Sequence, residues 1–533
     1  MAEALAAHSI SERPRRKVTW VWGWPSLSRV SNRCRGESSS CPTHGALDSN
    51  FDGLWHGTRE MRVLLVEDKI ETAKLLSAKL EDLPNCEVRW AQSRDRAEVI
   101  LREESFDLII LDRRIPSADG FLDDSAEHGF HVFQVAQEVC EGTPVWFLTA
   151  TEDADFPAEV NNKYGRREDI HGIGIQEPLC MVFWKRQLNQ ALQEAKTFAE
   201  RHAELSAIAV VNPGAINLAA AELANLRIFG RRYAATSVEV TALGGGLSSA
   251  RVVKAVARNA AGAPVHTAVA KIGSLSSVRD EYDRYIKHIS RLGPGDYPPL
   301  SIKIDAGSGA IGGLYYSMVG TEVTSLLDLI ADGGDAVSGI PEAMHKMQEP
   351  WHQSRAIAQV TVGQIRRRFL ADTRLPDIDA ELQGIDLSAV ESVIVAGARC
   401  TQHNDMHALN ILFDGSAKGL FIDYNDAGQS FATADPVTLE LSLLFHKEHT
   451  RLGTDWPSVD QIAAWSNVDA YVDGCAFADF IRGCRNWALA VAGSPEEVVA
   501  TAYAYAVRQL KYADTRKDLA RALIRGAIAV LTR

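Results

Sequence analysis

From Met61 onward, short uninterrupted apolar runs alternate with stretches of helical periodicity, and this alternation sharply limits the folds available. Arg62-Val63-Leu64-Leu65-Val66 reads as a buried strand, and Lys69 to Leu83 as an amphipathic helix. Val88 to Ala91 is a short strand and Arg94 to Glu103 a helix; Phe106 to Leu111 is a second buried run. Gly129 to Val139 is helical, Pro144 to Leu148 is strand, and Met181 to Ala199 reads as a long closing helix. Strands buried on both faces and separated by helices predict a parallel sheet with helices on either side.

Polar residues stand where those strands end. Glu67 and Asp68 follow the first, Asp112 follows the Phe106–Leu111 run and Thr149 follows the next. Ligands of an open parallel sheet bind outside the carboxyl ends of its strands. Three carboxylates converging there repel unless a cation lies between them, and Mg²⁺ suits an all-oxygen site. Asp112 then reads as a carboxylate nucleophile of the aspartyl-phosphate type. These segments resemble the signature strands of the response-regulator receiver family. The resemblance implies a five-stranded, doubly wound, flavodoxin-like α/β fold over residues 61–200, with Mg²⁺ at Glu67, Asp68 and Asp112. It further implies phosphorylation of Asp112, a switch role for Thr149, and a histidine kinase or other phosphodonor as partner. Two departures stand out. Ser117 to His128 is an insertion carrying Asp119, Asp123, Asp124 and Glu127, and Glu177-Pro178 stands where the family's Lys-Pro is expected. An acid there is expected to weaken the response, with Lys163 and Lys185 as spatial substitutes.

A second phosphate-handling pattern lies near the C-terminal end. His403-Asn404-Asp405-Met406-His407-Ala408-Leu409-Asn410 has the spacing H-x-D-x-x-x-x-N, and Asp423 ends the apolar run Leu420-Phe421-Ile422. Phosphoryl transfer from Mg²⁺-ATP needs one carboxylate to orient an acceptor hydroxyl and further oxygen ligands to hold the metal. Upstream, Ser237 to Leu243 alternates like a strand and enters Gly244-Gly245-Gly246, a turn whose amides can approach phosphates. Lys271 stands inside the apolar run Thr267 to Ile272, so it needs anionic partners, with Glu281 ten residues on the expected one. Tyr315 to Gly320 suits a hinge, and Thr324 to Ala331 begins a helical lobe. Glu342 to Ala371, interrupted at Pro350, reads as amphipathic helix.

This set resembles the aminoglycoside-phosphotransferase and choline-kinase branch of the protein-kinase-like superfamily, carried by His403, Asp405, Asn410 and Asp423, with Asp435-Pro436 beyond. The resemblance implies an α+β bilobal domain over residues 229–533, with lobes of about 229–320 and 321–533. It implies Asp405 as base, His403 as its catalytic-loop neighbour, Asn410 and Asp423 as Mg²⁺ ligands, and Lys271 on the α/β-phosphates of ATP. The acceptor, a small-molecule or protein hydroxyl, is left open. Asp305 and Asp328 read as a solvated acidic face rather than a mouth for a cationic acceptor. Residues 201–228 are expected to be a helical linker, and residues 1–60 a disordered leader or an overextended start.

The 533 residues exceed one core, and a net charge of −13 excludes a general nucleic-acid surface. No apolar stretch is long enough for a membrane span, and scattered cysteines suit a reduced, cytoplasmic setting. The expected protein is a two-component signalling enzyme in which phosphorylation biases lobe closure or homodimerisation. The competing reading is a catalytically weak nucleotide-binding scaffold with a pseudo-receiver, in a multi-protein signalling or defence complex. A DNA-binding regulator is disfavoured for want of a basic recognition helix.

Overall fold

Val63 and Leu65 pack into one hydrophobic cluster and Leu64 and Val66 into another, so the first strand is covered on both faces. The structure, a computed structural model, describes residues 54–55, 60–150, 155–212, 214, 216–243, 250–318, 324–333, 337–413 and 419–533. Gly244, Gly245, Gly246 and the end of the expected hinge, Val319-Gly320, lie outside the described residues, as does nearly all of the leader.

Strands β1 (Met61–Val66), β2 (Cys86–Ala91), β3 (Leu108–Leu111), β4 (Val145–Thr149) and β5 (Cys180–Trp184) form a parallel sheet in the order β2-β1-β3-β4-β5. Helices α1 (Ile70–Glu81), α2 (Arg94–Glu103), α3 (Ala126–Val139), α4 (Phe156–Tyr164) and α5 (Leu188–Ser206) complete the flavodoxin-like winding. One expectation fails here. The helix anticipated from Met181 begins instead as β5, because Cys180 to Trp184 pairs along the whole length of β4. The acids of the insertion serve local structure: Asp119 accepts from Ser93, Asp123 from the Ser117 amide, and Asp124 from Arg114.

The expected helical linker is interrupted. Ala209–Val211 (β6) pairs in parallel with Ser237–Ala242 (β7), and Ala220–Arg232 (α6) packs near that sheet. A three-residue strand of Ala and Val leaves no periodicity to read. Arg251–Arg258 (β8), Pro264–Ser274 (β9), Leu300–Ile304 (β10) and Ile311–Ser317 (β11) extend the sheet, whose order is Leu54–Trp55, β6, β7, β8, β9, β11, β10. Helix α7 (Leu275–Lys287) follows β9 directly.

Beyond it the chain is mostly helical, around a core holding Trp351, Trp465 and Trp487. Ala434–Phe445 (α8), Ala478–Val491 (α9), Pro495–Gln509 (α10) and Lys517–Leu531 (α11) form its bulk. The helix expected over Glu342 to Ala371 contains a strand, Ala356–Thr361 (β12), which pairs with Ile394–Gln402 (β13). Gly428–Phe431 (β16) adds to β13, while Ile411–Phe413 (β14) and Leu420–Phe421 (β15) form a separate hairpin. Among the described residues no helix is long and apolar enough to cross a membrane.

Two candidate phosphate-handling sites

At the carboxyl ends of β1 and β3, Glu67, Asp68 and Asp112 bring carboxylate oxygens within 4.8 Å of one another. Glu67 and Asp112 are buried, and burial pushes both carboxyls above their ordinary range, against the opposing pull of Lys185. Lys185 Nζ donates to Glu67 Oε2 at 2.6 Å and Asp112 Oδ2 at 2.7 Å. This corrects the expectation about Glu177. The chain inserts a small hairpin, Arg167–Glu168 with Glu177–Pro178, before β5. Glu177 therefore lies away from the acids and accepts from His171 at 2.6 Å and from Arg201. The lysine that follows strand five is Lys185. Thr149 ends β4, buried and paired in register with Trp184, the residue before Lys185. Lys163 sits on α4, over the Tyr164 ring.

The group fits a divalent cation: it is all-oxygen, and Asp68 Oδ1 is buried without a protein partner. Lys185→Ala would leave three adjacent acids uncompensated, a loss of about 3–5 kcal/mol for a fully buried pair and less for this partly exposed lysine. We expect its melting temperature to fall in EDTA and to recover with Mg²⁺ by more than the wild type gains. Equal melting of the two proteins in EDTA would contradict the pairing.

Residues 63–165 match the family model for the response regulator receiver domain. That segment is a receiver domain. It is similar to the solved receiver domain of Francisella response regulator 1452, at 16% identity and TM-score 0.20, over 27% of this chain and 98% of that one. It is also similar to the signal receiver domain of an HD domain-containing protein from Pseudomonas fluorescens Pf-5, at 19% identity and TM-score 0.21, over 27% and 98%. A response regulator receiver domain protein from Methanospirillum hungatei JF-1 gives 16% identity and TM-score 0.20, over 27% and 98%. No curated protein matches the chain. A receiver domain implies two-component signalling, with a phosphodonor such as a histidine kinase.

The second site gathers residues far apart in sequence. Lys271 lies in β9, paired in register with Val252 on one side and Leu314 on the other, and is 5% exposed. Its Nζ meets Glu281 Oε2 at 2.8 Å and Asp423 Oδ1 at 2.8 Å. Burial disfavours its charge, but the two carboxylates outweigh burial and raise its pKa. Burial likewise opposes ionisation of Asp423, and Lys271 overcomes it and holds that carboxyl below the usual range. Glu281, 1% exposed, also accepts from Tyr316 Oη at 2.9 Å. Asn425, with its amide oxygen toward Lys271 at 2.6 Å, donates to Glu281 at 3.0 Å.

The β14–β15 hairpin sets Asn410 beside Asp423. Ile411 pairs with Phe421, and the Ile422 amide donates to the Asn410 carbonyl at 3.0 Å. Asn410 Nδ2 donates to the Asp405 carbonyl at 2.8 Å, so its amide oxygen is the atom that could take a cation. Asp405, Asn410 and Asp423 line one cavity of about 420 Å³, together with His407, Tyr505 and Arg508. A second cavity of about 290 Å³, walled by Val252, Val269, Leu412 and Ile422, shares Asn410 and Asp423 with the first. Burial raises the Asp405 carboxyl and pushes His407 and His446 down to about 4, so both imidazoles are neutral near pH 7.

His403 does not face the cavity; it is fully buried, and its Nε2 lies 3.0 Å from the Ile422 carbonyl, tying the Asp405 loop to the Asp423 strand. Asp435, at the start of α8, accepts from the His403 amide at 2.7 Å, the Asn404 amide at 2.8 Å and Gln348 Nε2 at 2.7 Å. Gln348 and Asn425 carried no sequence signal, since neither belongs to a motif. Asn404 and Asp423 adopt φ of 67° and 64°, a left-handed backbone that Asn and Asp tolerate best among residues with a side chain. Asp305 is not part of a solvated face: it is buried and paired with Lys303 at 2.9 Å and Arg166 at 3.4 Å.

Proposed function

We propose that residues 229–533 are an ATP-dependent phosphotransferase acting on a hydroxyl of a small molecule or protein, under the control of the receiver domain. The observation that carries this reading is Lys271, held at 2.8 Å from both Glu281 and Asp423, the latter lining the same cavity as Asp405 and Asn410. A buried lysine with two acids is costly to build for structure alone, because the desolvation of all three charges must be offset. Nucleotide binding uses it directly.

In this reading the apolar cavity between β8, β9 and Leu412 takes the adenine, and Lys271 Nζ contacts the α/β-phosphates. Asp405 projects into the neighbouring cavity, where its burial-raised basicity suits it to orient an acceptor hydroxyl and take its proton. Asn410 and Asp423, shared by both cavities, would hold a divalent cation, which would supply positive charge to offset that on a transferring phosphoryl group. In this reading Asp112 is the phosphoacceptor of the receiver, supported by Lys185 Nζ at 2.7 Å from its Oδ2.

Incubating the full chain with Mg²⁺-ATP and candidate acceptors, with mass-spectrometric detection of phosphorylated products, tests the reading. Products are expected from the wild type and roughly 10²–10⁴-fold fewer from Asp405→Asn, the range typical of losing a general base. Equal product from both would remove Asp405 from the chemistry.

A further inference from the structure

Helix α7, which carries Glu281, is held from behind by the receiver. Arg279 stands two residues before Glu281, which on an α-helix turns the two side chains roughly 200° apart. Glu281 faces Lys271; Arg279 faces the receiver, where its Nη1 lies 2.7 Å from each carboxylate oxygen of Glu141. Arg166, also in the receiver, donates to Glu141 Oε1 at 3.0 Å and to the Asp305 carbonyl at 2.8 Å. Backbone bonds reinforce these charges. The Gly142 amide donates to the Gly309 carbonyl at 3.0 Å, and the Gly307 amide donates to the Gly142 carbonyl at 2.9 Å. The same turn receives the first amide of α7, Leu275 N to the Ala310 carbonyl at 3.2 Å. The fit is close: a Cβ on Gly142 would stand 2.6 Å from the Gly309 carbonyl oxygen.

We infer that the receiver fixes α7 in the position that pairs Glu281 with Lys271, through a docking contact of Glu141 and Gly142 on Arg279 and the 305–310 turn. Arg279 is then a positioning residue for Glu281. The inference rests on the phosphotransferase reading for its consequence, though not for its geometry. Glu141 and Gly142 lie in the turn before β4, at the end of the sheet opposite Asp112, Thr149 and Lys185. The contact therefore leaves the surface around the phosphoacceptor available to a partner. It makes the receiver a structural part of the Lys271 site.

Amide exchange of residues 275–287 in the full chain, in Arg279→Glu, Arg279→Lys and Gly142→Leu, tests this without nucleotide or acceptor. Exchange about 5- to 150-fold faster is expected in Arg279→Glu and Gly142→Leu, the span of typical inter-site coupling. Arg279→Lys should stay near wild type, with residues 61–66 equally protected in all three. Wild-type exchange in either disrupting variant would overturn the inference. Loss of protection at 61–66 would overturn it too, since the effect would then be unfolding. Turnover of ATP is read separately: a chain without turnover refutes the phosphotransferase reading, whereas intact turnover with unmoved exchange removes only the positioning role.

Discussion

Lys271→Met is expected to destabilise the C-terminal region by about 3–5 kcal/mol and to abolish ATP turnover, and the two effects should separate in a double variant. The single change leaves Glu281 and Asp423 close together in the low-dielectric cleft with no cation between them. Glu281 is the more buried of the two and carries most of that penalty. Lys271→Met/Glu281→Gln removes one charge while keeping an oxygen for Tyr316 Oη, so the unfolding midpoint should return most of the way toward wild type. Turnover should not return, because on the proposed reading the α/β-phosphates have then lost their lysine. Thermal unfolding and nucleotide hydrolysis measured on the two variants check this. Recovery of activity in the double variant would show that Lys271 serves stability alone.

Asp435→Ala is expected to abolish turnover although Asp435 lines neither cavity. Its carboxylate collects the His403 and Asn404 amides and the Gln348 side chain, all at 2.7–2.8 Å. Each donor left unsatisfied in the interior costs about 1–3 kcal/mol. That strain falls on the residues immediately before Asp405, including Asn404 in its left-handed conformation. Asp435→Asn, which keeps one acceptor oxygen, should lie between alanine and wild type in unfolding midpoint. Asp435→Ala with wild-type turnover would show that the loop holds its shape without this anchor.

Much of the receiver was legible because its three central strands, β1, β3 and β4, are buried on both faces, and such runs stand out against amphipathic helices. The acids at their ends were legible for the same reason: a polar residue closing an apolar strand marks the sheet's carboxyl edge. β5 was not. Met181-Val182-Phe183-Trp184 is followed by Leu188 and Leu192 at helical spacing, so strand and helix form one continuous apolar pattern. Misplacing that boundary put Glu177 where Lys185 belongs. In the C-terminal region, a lysine inside an apolar strand pointed to a buried anionic partner, and Glu281 is one. The Asp423 contact spans 152 residues and is set by tertiary packing, which local pattern does not encode. Gln348, Asn425 and the Glu141–Arg279 docking contact were silent in the sequence for the same reason.

The central claim is that Asn410 and Asp423 present a metal ion to a nucleotide held by Lys271. The most direct measurement is calorimetric titration of ATP into the full chain, with Mg²⁺ and with EDTA, for wild type and Asp423→Asn. Wild type should bind ATP markedly more tightly with Mg²⁺, and Asp423→Asn should lose that difference. Equal wild-type affinity in the two conditions, or a metal dependence undiminished in Asp423→Asn, would contradict the account.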